Sequence, residues 1–316
     1  RRPPRSTLFP YTTLFRSLTG FNVRPGNVED LSLVKEICAD VNGGNDYIPY
    51  LWDEWNANPQ NRAFIVESDE GAAGLYWLRL DFAGAETGWL QGVRVKAAFR
   101  GRGVGRFIME QAISQSRKLS LHTLQYVTAR DNYPMHHMAG LFGFWHVGTF
   151  LNYSLEQTEV PPRGNALESR LVTTSEFDEA YRLILDSDEY QLGHGIYCLA
   201  WNWKHLSMDV FRKHLERREV YCLVGALKVL AILRRTEDGE SWLSFLAGEK
   251  SARLPLLLEL ARRVSKNIAP GKPFQYTAQV VQTPVNETLL QQAGFKPDGH
   301  EPGLLLYELD LEEPAP

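Results

Sequence analysis

Three glycines at alternate positions between residues 101 and 105 constrain this chain more than any other feature. They follow a segment in which Val93 and Val95 alternate with polar residues, as in a half-buried strand. From Val104 onward, apolar residues recur at helical spacing. The stretch therefore predicts a strand, a glycine-rich turn and a helix, and glycine lets another group approach the backbone of such a turn closely.

The predicted turn suits an anionic ligand. The first turn of a helix leaves backbone N–H groups without partners, and the helix dipole places about half a positive charge there. Arg100, Arg102 and Arg106 bring full positive charges to the same turn. We therefore expect a diphosphate to bind here without a metal ion.

Two other phosphate-binding motifs do not fit these residues. The dinucleotide fingerprint needs its third glycine one residue later than Gly105, and a P-loop needs Lys and Ser or Thr where Arg106-Phe107 stand. The pattern Arg100-x-x-Gly103-x-Gly105 after a valine-rich strand resembles instead the coenzyme A signature of the GNAT (Gcn5-related) acetyltransferases. The alternative is an ordinary strand-to-helix turn with exposed arginines.

The order of predicted elements between residues 21 and 155 is also similar to that family: strand, two helices, three strands, helix, strand, helix, strand. Periodicity and turn signals predict these elements. The predicted strands are 21–24, 63–67, 72–81, 87–95, 122–128 and 144–155. Four helices are predicted: the first follows a cap at residue 27, the second covers 46–55, the third begins at 104 and the fourth covers 132–142.

A second pass through the same order follows a Pro- and Gly-containing linker at residues 157–166. We expect a mixed α/β fold of tandem GNAT folds, with an acetyltransferase domain at 18–156, a GNAT-like domain at 167–311 and a tail at 312–316. The coenzyme site of the second domain is expected to be degenerate, because residues 247–252 hold one glycine, one lysine and an acid. An unrelated α+β domain is the alternative.

The resemblance implies acetyl-CoA as co-substrate, no metal, and a set of coenzyme-binding residues around the turn. Asn132, followed by a Gly-Phe pair at 143–144, matches the family's spacing for a side chain that contacts the cofactor arm. The expected coenzyme-binding residues are Val93, Arg94, Val95, Arg100, Gly101, Arg102, Gly103, Val104, Gly105 and Asn132.

In that family an amine attacks the thioester directly in a ternary complex, which requires a proton acceptor for the amine and a donor for the thiolate. Gln91 stands where related enzymes often carry Glu, and Ala139 stands where the usual Tyr acid lies. Glu86 and Tyr133 are therefore the expected catalytic residues, with the histidines at 136 and 137 as further candidates.

Residues 43–49, followed by Trp52, resemble a segment of the N-acetylhistidine synthetase-like branch, whose members also carry a second GNAT-like half. That branch acetylates the α-amine of an amino acid. By this resemblance Asp46, Tyr47 and Trp52 are expected to line the acceptor site. The segment 190–203, rich in Gly, Tyr and Trp, either shapes the same pocket or packs between the domains.

The composition excludes several other classes of function. The net charge of −4 argues against a general nucleic-acid or anionic-membrane binder, and no apolar run reaches the roughly 20 residues of a membrane span. Three scattered cysteines suit a reducing compartment, so a cytoplasmic location is expected. The expected oligomeric state is a monomer or a homodimer. Residues 1–17 look like translated adapter sequence and are left out of the fold prediction.

The preferred function is therefore acetyl transfer from acetyl-CoA to the amine of a small molecule, with an amino acid as the favoured acceptor. Two alternatives remain open at this point. One is a non-catalytic acyl-CoA-binding sensor, which the missing Glu and Tyr would suit. The other is acetylation of peptide or protein ends, which would need an open groove.

Overall fold

A computed structural model describes residues 20–80, 86–156, 167–236, 239–266, 274–298 and 303–312. The predictions for residues 1–17 and for the linker at 157–166 lie outside the described residues. In the described part, helices alternate with strands as the periodicity predicts. The predicted mixed α/β fold class is confirmed.

The helices of the described residues are α1 (Leu31–Cys38), α2 (Ile48–Ala57), α3 (Val104–Lys118), α4 (Tyr133–Phe142), α5 (Phe177–Leu185), α6 (Asp188–Leu192), α7 (Met208–Glu216), α8 (Lys250–Lys266) and α9 (Pro284–Gln292). The strands are β1 (Asn22–Pro25), β2 (Asn61–Ser68), β3 (Gly71–Arg79), β4 (Thr87–Val95), β5 (Thr123–Ala129), β6 (Trp145–Leu155), β7 (Ser169–Leu171), β8 (Ile196–Cys198), β9 (Trp203–His205), β10 (Val220–Leu223), β11 (Val229–Arg235), β12 (Ser241–Gly248), β13 (Tyr276–Val281), β14 (Lys296–Pro297) and β15 (Leu304–Asp310).

The chain divides into two compact units. The first comprises residues 1–77 and 92–112, and the second comprises residues 78–91 and 113–316. This division differs from the boundaries 18–156 and 167–311 expected from the sequence, which stay a prediction.

The first unit is built on α1 and α2 packed against its strands. Val34, Ile37 and Cys38 recur at helical spacing on α1 and are buried, which explains why this helix docks. The chain enters the turn before α1 through a capping box in which the side chain of Asn27 accepts a hydrogen bond, as the sequence predicts. The buried cluster contains Val34, Ile37, Ile48, Trp52, Ile65, Leu75 and Trp77.

The second unit carries a mixed sheet in the order β5-β15-β6-β13-β12-β11-β10-β7. Parallel pairing joins β12 to β13, while the other neighbours are antiparallel. The first residues of β4 also pair with β5 in parallel, from Thr87↔Thr123 to Trp89↔Gln125. Strand β15 lies between β5 and β6 and pairs with both in antiparallel orientation. Residues 304–310 therefore join two strands that lie about 150 or more positions earlier in the sequence.

Local sequence signals missed several short elements of the second unit. Helix α6 and the β8–β9 hairpin overlap the aromatic-rich stretch 190–203, for which the sequence predicted no regular structure, and α7 follows in a segment with no predicted element. Thr173 and Glu176 form a capping box before α5: the side chain of Thr173 accepts from the backbone N–H of Glu176, and the carboxylate of Glu176 accepts from the N–H of Thr173.

Candidate functional site

Strand β4 pairs with β5 at its start. The register covers residues 87–89, and among the described pairs residues 90–95 have no partner on β5. Gly92 adopts φ +62°, and a Cβ there would lie 3.1 Å from Trp77 and 3.2 Å from Ile48. The close packing explains why glycine stands here. The carbonyls of Val93 and Val95 accept instead from the side chains of Arg94 and Arg100, at 3.1 and 3.3 Å.

The glycine-rich turn after β4 has the predicted geometry. Gly101 adopts φ +74° and Gly103 φ +90°, both in the region that favours glycine. The N–H of Phe107 donates to the carbonyl of Gly103 at 3.0 Å, so the amides of residues 104–106 precede the helix's own hydrogen bonds. A Cβ added at Gly101 or Gly105 would meet nothing within 4 Å, so the turn borders open space.

The arginines of the turn are bound to surface carboxylates. Arg100 donates to Asp40 at 2.8 Å and to the carbonyl of Val95 at 3.3 Å, and Arg102 donates to Glu70. Both arginine side chains are about half exposed. Exposed pairs of this kind contribute roughly 0–1 kcal/mol. A diphosphate could therefore replace these carboxylates at small cost.

Arg94 is anchored by a buried carboxylate. Its Nε and Nη2 donate to the two oxygens of Asp46 at 2.6 and 3.0 Å, and its guanidinium lies 5.5 Å from the ring centre of Tyr47. Burial works to raise the pKa of Asp46, but the hydrogen bonds and charge of Arg94 outweigh it and the pKa is lowered. The structure thus joins one residue expected to bind coenzyme with two expected to line the acceptor site.

The other residues expected in the acceptor site differ in exposure. Tyr47 is 45% exposed and its ring packs edge-on against Trp55. Trp52 is fully buried; its indole N–H donates to the carbonyl of Asn27 at 2.9 Å and its ring packs on Trp77. Trp52 is therefore a core side chain in this structure and is not presented to a ligand.

Asn132 and Tyr133 lie at the start of α4. The amide of Asn132 donates to the hydroxyl of Thr128 at 2.8 Å, so this side chain is turned towards β5. Tyr133 is 70% exposed. Asn132 is the residue before α4, whose C-terminal cap is Gly143 at φ +75°, as the Asn…Gly-Phe spacing predicts.

The sequence did not indicate the partner of His136. One ring nitrogen, Nε2, lies 2.9 Å from the carbonyl of Arg130, and the other, Nδ1, lies 3.0 Å from the hydroxyl of Tyr307 on β15. A carbonyl only accepts, so we assign the proton to Nε2 and infer that Tyr307 donates to Nδ1. No local signal links these residues, since 171 positions separate them.

Glu86 lies directly before β4, at the opposite end of the strand from Val95. Its side chain is 71% exposed and lies 3.2 Å from Nδ1 of His122. The structure therefore does not bring Glu86 together with the glycine-rich turn, and its catalytic role stays a prediction without support from the geometry.

The stretch expected to be a degenerate coenzyme site borders a cavity of about 480 Å³, whose lining includes Lys228, Gly248 and Arg253. Gly248 adopts φ +111°, and a Cβ there would clash with the carbonyl oxygen of Lys228. Arg253 is buried; it donates to the carbonyl of Gly248 at 3.0 Å and to the carboxylate of Glu189. Burial raises the pKa of Glu189 although Arg253 opposes the shift. A buried ion pair therefore holds this turn at the edge of the cavity.

Aromatic residues of the β8–β9 hairpin cover the face of the sheet that bears Trp89. Trp203 is buried and stacks on Trp89 with ring centres 5.3 Å apart, and it also contacts Phe150. Trp201, at φ +62°, is 46% exposed at the hairpin turn. Trp203 of the stretch 190–203 therefore packs within the second unit, while His194 of the same stretch lines a cavity.

A cavity of about 620 Å³ lies in the second unit at the start of β6. His146, Gly148, Thr149, His194 and Glu287 are among its lining residues. Within the described ranges no cluster of three or more His, Cys, Asp or Glu side chains is arranged to hold a metal ion. The three cysteines are free and buried, and burial raises the pKa of Cys38 to about 12. No helix in the described part is long and apolar enough to cross a membrane.

Comparison with known proteins identifies the segment that contains the glycine-rich turn. Residues 32–144 match the acetyltransferase (GNAT) family. No curated protein matches the chain.

Solved structures share the fold over most of the chain. A GCN5-related N-acetyltransferase from Sphaerobacter thermophilus is 13% identical with a TM-score of 0.60, covering 93% of this chain and 96% of that one. A tandem GNAT protein from the clavulanic acid biosynthesis pathway is 14% identical with a TM-score of 0.51, covering 93% and 100%. A glucosamine N-acetyltransferase region of a fungal GH3 β-N-acetylglucosaminidase is 11% identical with a TM-score of 0.59, covering 92% of this chain and 38% of that one. At these identities the likeness is one of fold.

Proposed function

We propose that this chain, which carries a GNAT acetyltransferase segment at residues 32–144, is an acetyl-CoA-dependent N-acetyltransferase. Its acceptor is the amine of a small molecule, and a free amino acid is the expected class. The second half, in this proposal, is a GNAT-like domain without a working coenzyme site. The observation that carries the proposal is the strand edge at Val93–Val95 running into a glycine-rich turn with unpaired helical amides.

The turn supports binding of the coenzyme's diphosphate. The amides of residues 104–106 and the charges of Arg100 and Arg102 would supply donors and positive charge without a metal. The pantetheine arm, an amide-containing chain, would then pair with the backbone of Val93 and Val95 as an added strand does. Asn132 stays an expected coenzyme contact from the sequence alone, and its amide donates to the hydroxyl of Thr128.

We place the acceptor beside Arg94 and Tyr47. Asp46 holds Nε and Nη2 of Arg94, and Nη1 donates to the carbonyl of Val93. The bidentate bond to Asp46 takes up this fork. A small acceptor would therefore pack on the exposed ring of Tyr47 and reach only the N–H groups of Arg94 that Asp46 leaves. The amine would attack the thioester carbon directly, and the backbone N–H of Val93 would donate to the oxyanion.

The direct test is thiol release from acetyl-CoA in the presence of free amino acids and simple amines, with mass spectrometry of the N-acetylated product. Turnover with at least one small amine is expected. Peptides with the same N-terminal residue should react more slowly than the free amino acid. Peptides that react faster would favour acetylation of chain ends, and coenzyme binding without any turnover would favour a sensor.

A substitution in the turn ties the activity to the proposed site. Gly103→Glu places a carboxylate where the diphosphate would bind and forces a side chain onto φ +90°. We expect loss of coenzyme A binding by calorimetry together with loss of turnover. Unchanged binding and rate in a folded Gly103→Glu protein would refute the proposed site.

A further inference from the structure

A cleft lined by arginines lies within the second unit and has a volume of about 390 Å³. Four guanidinium groups face it, those of Arg217, Arg218, Arg235 and Arg263. Of the described lining residues, Glu219 alone is acidic, so the formal charge of the lining is +3. The whole chain carries a net charge of −4, so positive charge is concentrated here against the overall balance of the protein.

Strand pairing and helix packing place these side chains. Arg235 ends β11 opposite Ser241 of β12, and both residues line the cleft. Tyr221 of β10 lines it as well, and the guanidinium of Arg263 on α8 lies 5.1 Å from the centre of the tyrosine ring. A cation over an aromatic ring is attracted to it, so Arg263 is held against the sheet. The cleft thus has one wall on the sheet and another on α8.

Glu219 is already engaged and does not neutralise the arginines of the cleft. Its Oε2 lies 2.5 Å from Nδ1 of the buried His214, and its Oε1 lies 3.6 Å from Nε of Arg234, which is not a lining residue. Within the part of the chain that the structure describes, no ion pair joins residues 217, 218 and 235 to a carboxylate. These three side chains are exposed, so their guanidinium groups are accessible to a ligand.

Arg218 occupies a backbone position that favours glycine. It adopts φ +59° directly after the C-terminal cap of α7. Its N–H donates to the carbonyl of Leu215 at 2.9 Å. The N–H of Glu219 donates to the carbonyl of His214 at 3.0 Å, which completes the Schellman pattern that usually carries glycine at this position. A side chain is strained here, so ending the helix does not explain why arginine stands at this position.

Stabilisation of helix ends explains only part of the cluster. Arg217 and Arg218 follow α7, and Arg263 lies in the last turn of α8. Each helix end carries about half a negative charge, so the two ends together offset about one positive charge of the lining. Arg235 belongs to a strand. About two positive charges therefore remain for a bound anion to balance.

We propose that this cleft binds a phosphate dianion, either free or as the ester group of a small molecule. A phosphate monoester carries about two negative charges at pH 7 and presents oxygens that accept bidentate hydrogen bonds from guanidinium groups. The volume falls within the range of small-molecule sites, and Leu233 and Val264 add apolar lining for an organic part. The site lies wholly in the second unit and does not depend on the proposed acetyl transfer.

The test is calorimetric titration of the full chain with inorganic phosphate and with adenosine monophosphate, at fixed pH and low salt. Both are expected to bind, and both affinities should fall as salt is raised, because exposed charges are screened. Tighter binding of adenosine monophosphate would identify an ester as the ligand. Equal or tighter binding of inorganic phosphate would identify the free anion.

Arg218→Gly separates binding from folding. Glycine removes one guanidinium and relieves the positive φ, so the variant should unfold about 1–2 °C higher than wild type. Its dissociation constant for the phosphate compounds should nevertheless rise about tenfold, because a charge-assisted hydrogen bond is lost. Arg212→Ala is the matched control, since it removes an exposed arginine of α7 that does not line the cleft. Its affinity should stay within about twofold of wild type.

Four results would overturn the proposal. One is unchanged phosphate affinity in a folded Arg218→Gly protein. Another is equal weakening in Arg212→Ala, since that would reflect net charge alone. A third is phosphate binding that is lost only in Gly103→Glu, which would place it at the glycine-rich turn of the first unit. Tighter binding of a polyglutamate peptide than of either phosphate compound would contradict the ligand class.

Discussion

The conformation of Gly103 gives a quantitative test of the coenzyme-binding turn. At φ +90° any side chain is strained, and left-handed backbone costs about 1–2 kcal/mol for a residue other than glycine. Gly103→Ala should therefore shift the loop away from the conformation in which the amides of residues 104–106 converge. A ligand that binds only this conformation loses affinity in proportion to the lost population.

The magnitude follows from that strain. A loss of about 1–2 kcal/mol in binding free energy makes the dissociation constant for coenzyme A roughly 5–30-fold larger. The assay is isothermal titration calorimetry with coenzyme A at fixed pH and salt, since screening affects the binding of a diphosphate. Thermal unfolding of the same samples shows whether the variant is folded.

Gly140→Ala is the matched control. Gly140 lies within α4, it is not among the residues with positive φ, and a Cβ there meets nothing within 4 Å. Alanine is favoured over glycine in helices by about 1 kcal/mol, so this variant should unfold at the same or a higher temperature. Its coenzyme A affinity should stay within about twofold. Equal affinities for the two variants, or a larger loss in Gly140→Ala, would refute the role assigned to Gly103.

Three other predictions concern stability. Asp46→Asn leaves Arg94 without its buried carboxylate and should cost about 3 kcal/mol at pH 7, read as a lower urea midpoint. The folded-state pKa of Asp46 is lowered, so the unfolded chain binds this proton more readily than the folded protein. The extra stability of wild type over Asp46→Asn should therefore fade as pH drops through the folded-state pKa. Equal urea midpoints of the two proteins at pH 7 would contradict the ion pair. Arg253→Met should destabilise the protein more than the double variant that also carries Glu189→Leu, because the single change strands a buried acid; the reverse order, by thermal unfolding, would show that the pair is not buried together. A chain ending at Gly303 loses β15 and leaves β5 and β6 with unpaired edges, so it should aggregate in size-exclusion chromatography, whereas a soluble monomer with native circular dichroism would show that β15 is dispensable.

The glycine-rich turn shows how far local sequence determines this protein. Gly101 and Gly103 require positive φ, and the valines before them and the helical spacing after them identify a strand and a helix without any distant contact. Periodicity also predicts the bounds of β4 and the glycine cap of α4, since these depend on neighbours within a few residues. The geometry of the glycine-rich turn could therefore be predicted, and its role in binding coenzyme stays a prediction.

The surroundings of the expected catalytic and acceptor residues could not be predicted, because they depend on contacts between distant segments. Glu86 has a plausible position in the sequence, yet it lies at the far end of β4 from Val95. Trp52 is of a residue type that often contacts ligands, but its packing on Trp77 buries it. Short segments such as the β8–β9 hairpin carry too few residues for periodicity to separate a strand from a loop.

By itself the sequence determined the local conformations, the charges at the turn and the order of the elements. Only the tertiary structure shows that β15 pairs with both β5 and β6 and that Gln125 donates to Glu308, 183 positions away. The same holds for the hydrogen bond from Arg253 to the carbonyl of Gly248. The physical reason is that strand partners and buried ion pairs are chosen by hydrogen bonding and desolvation between distant segments, and no property of either segment alone specifies the other.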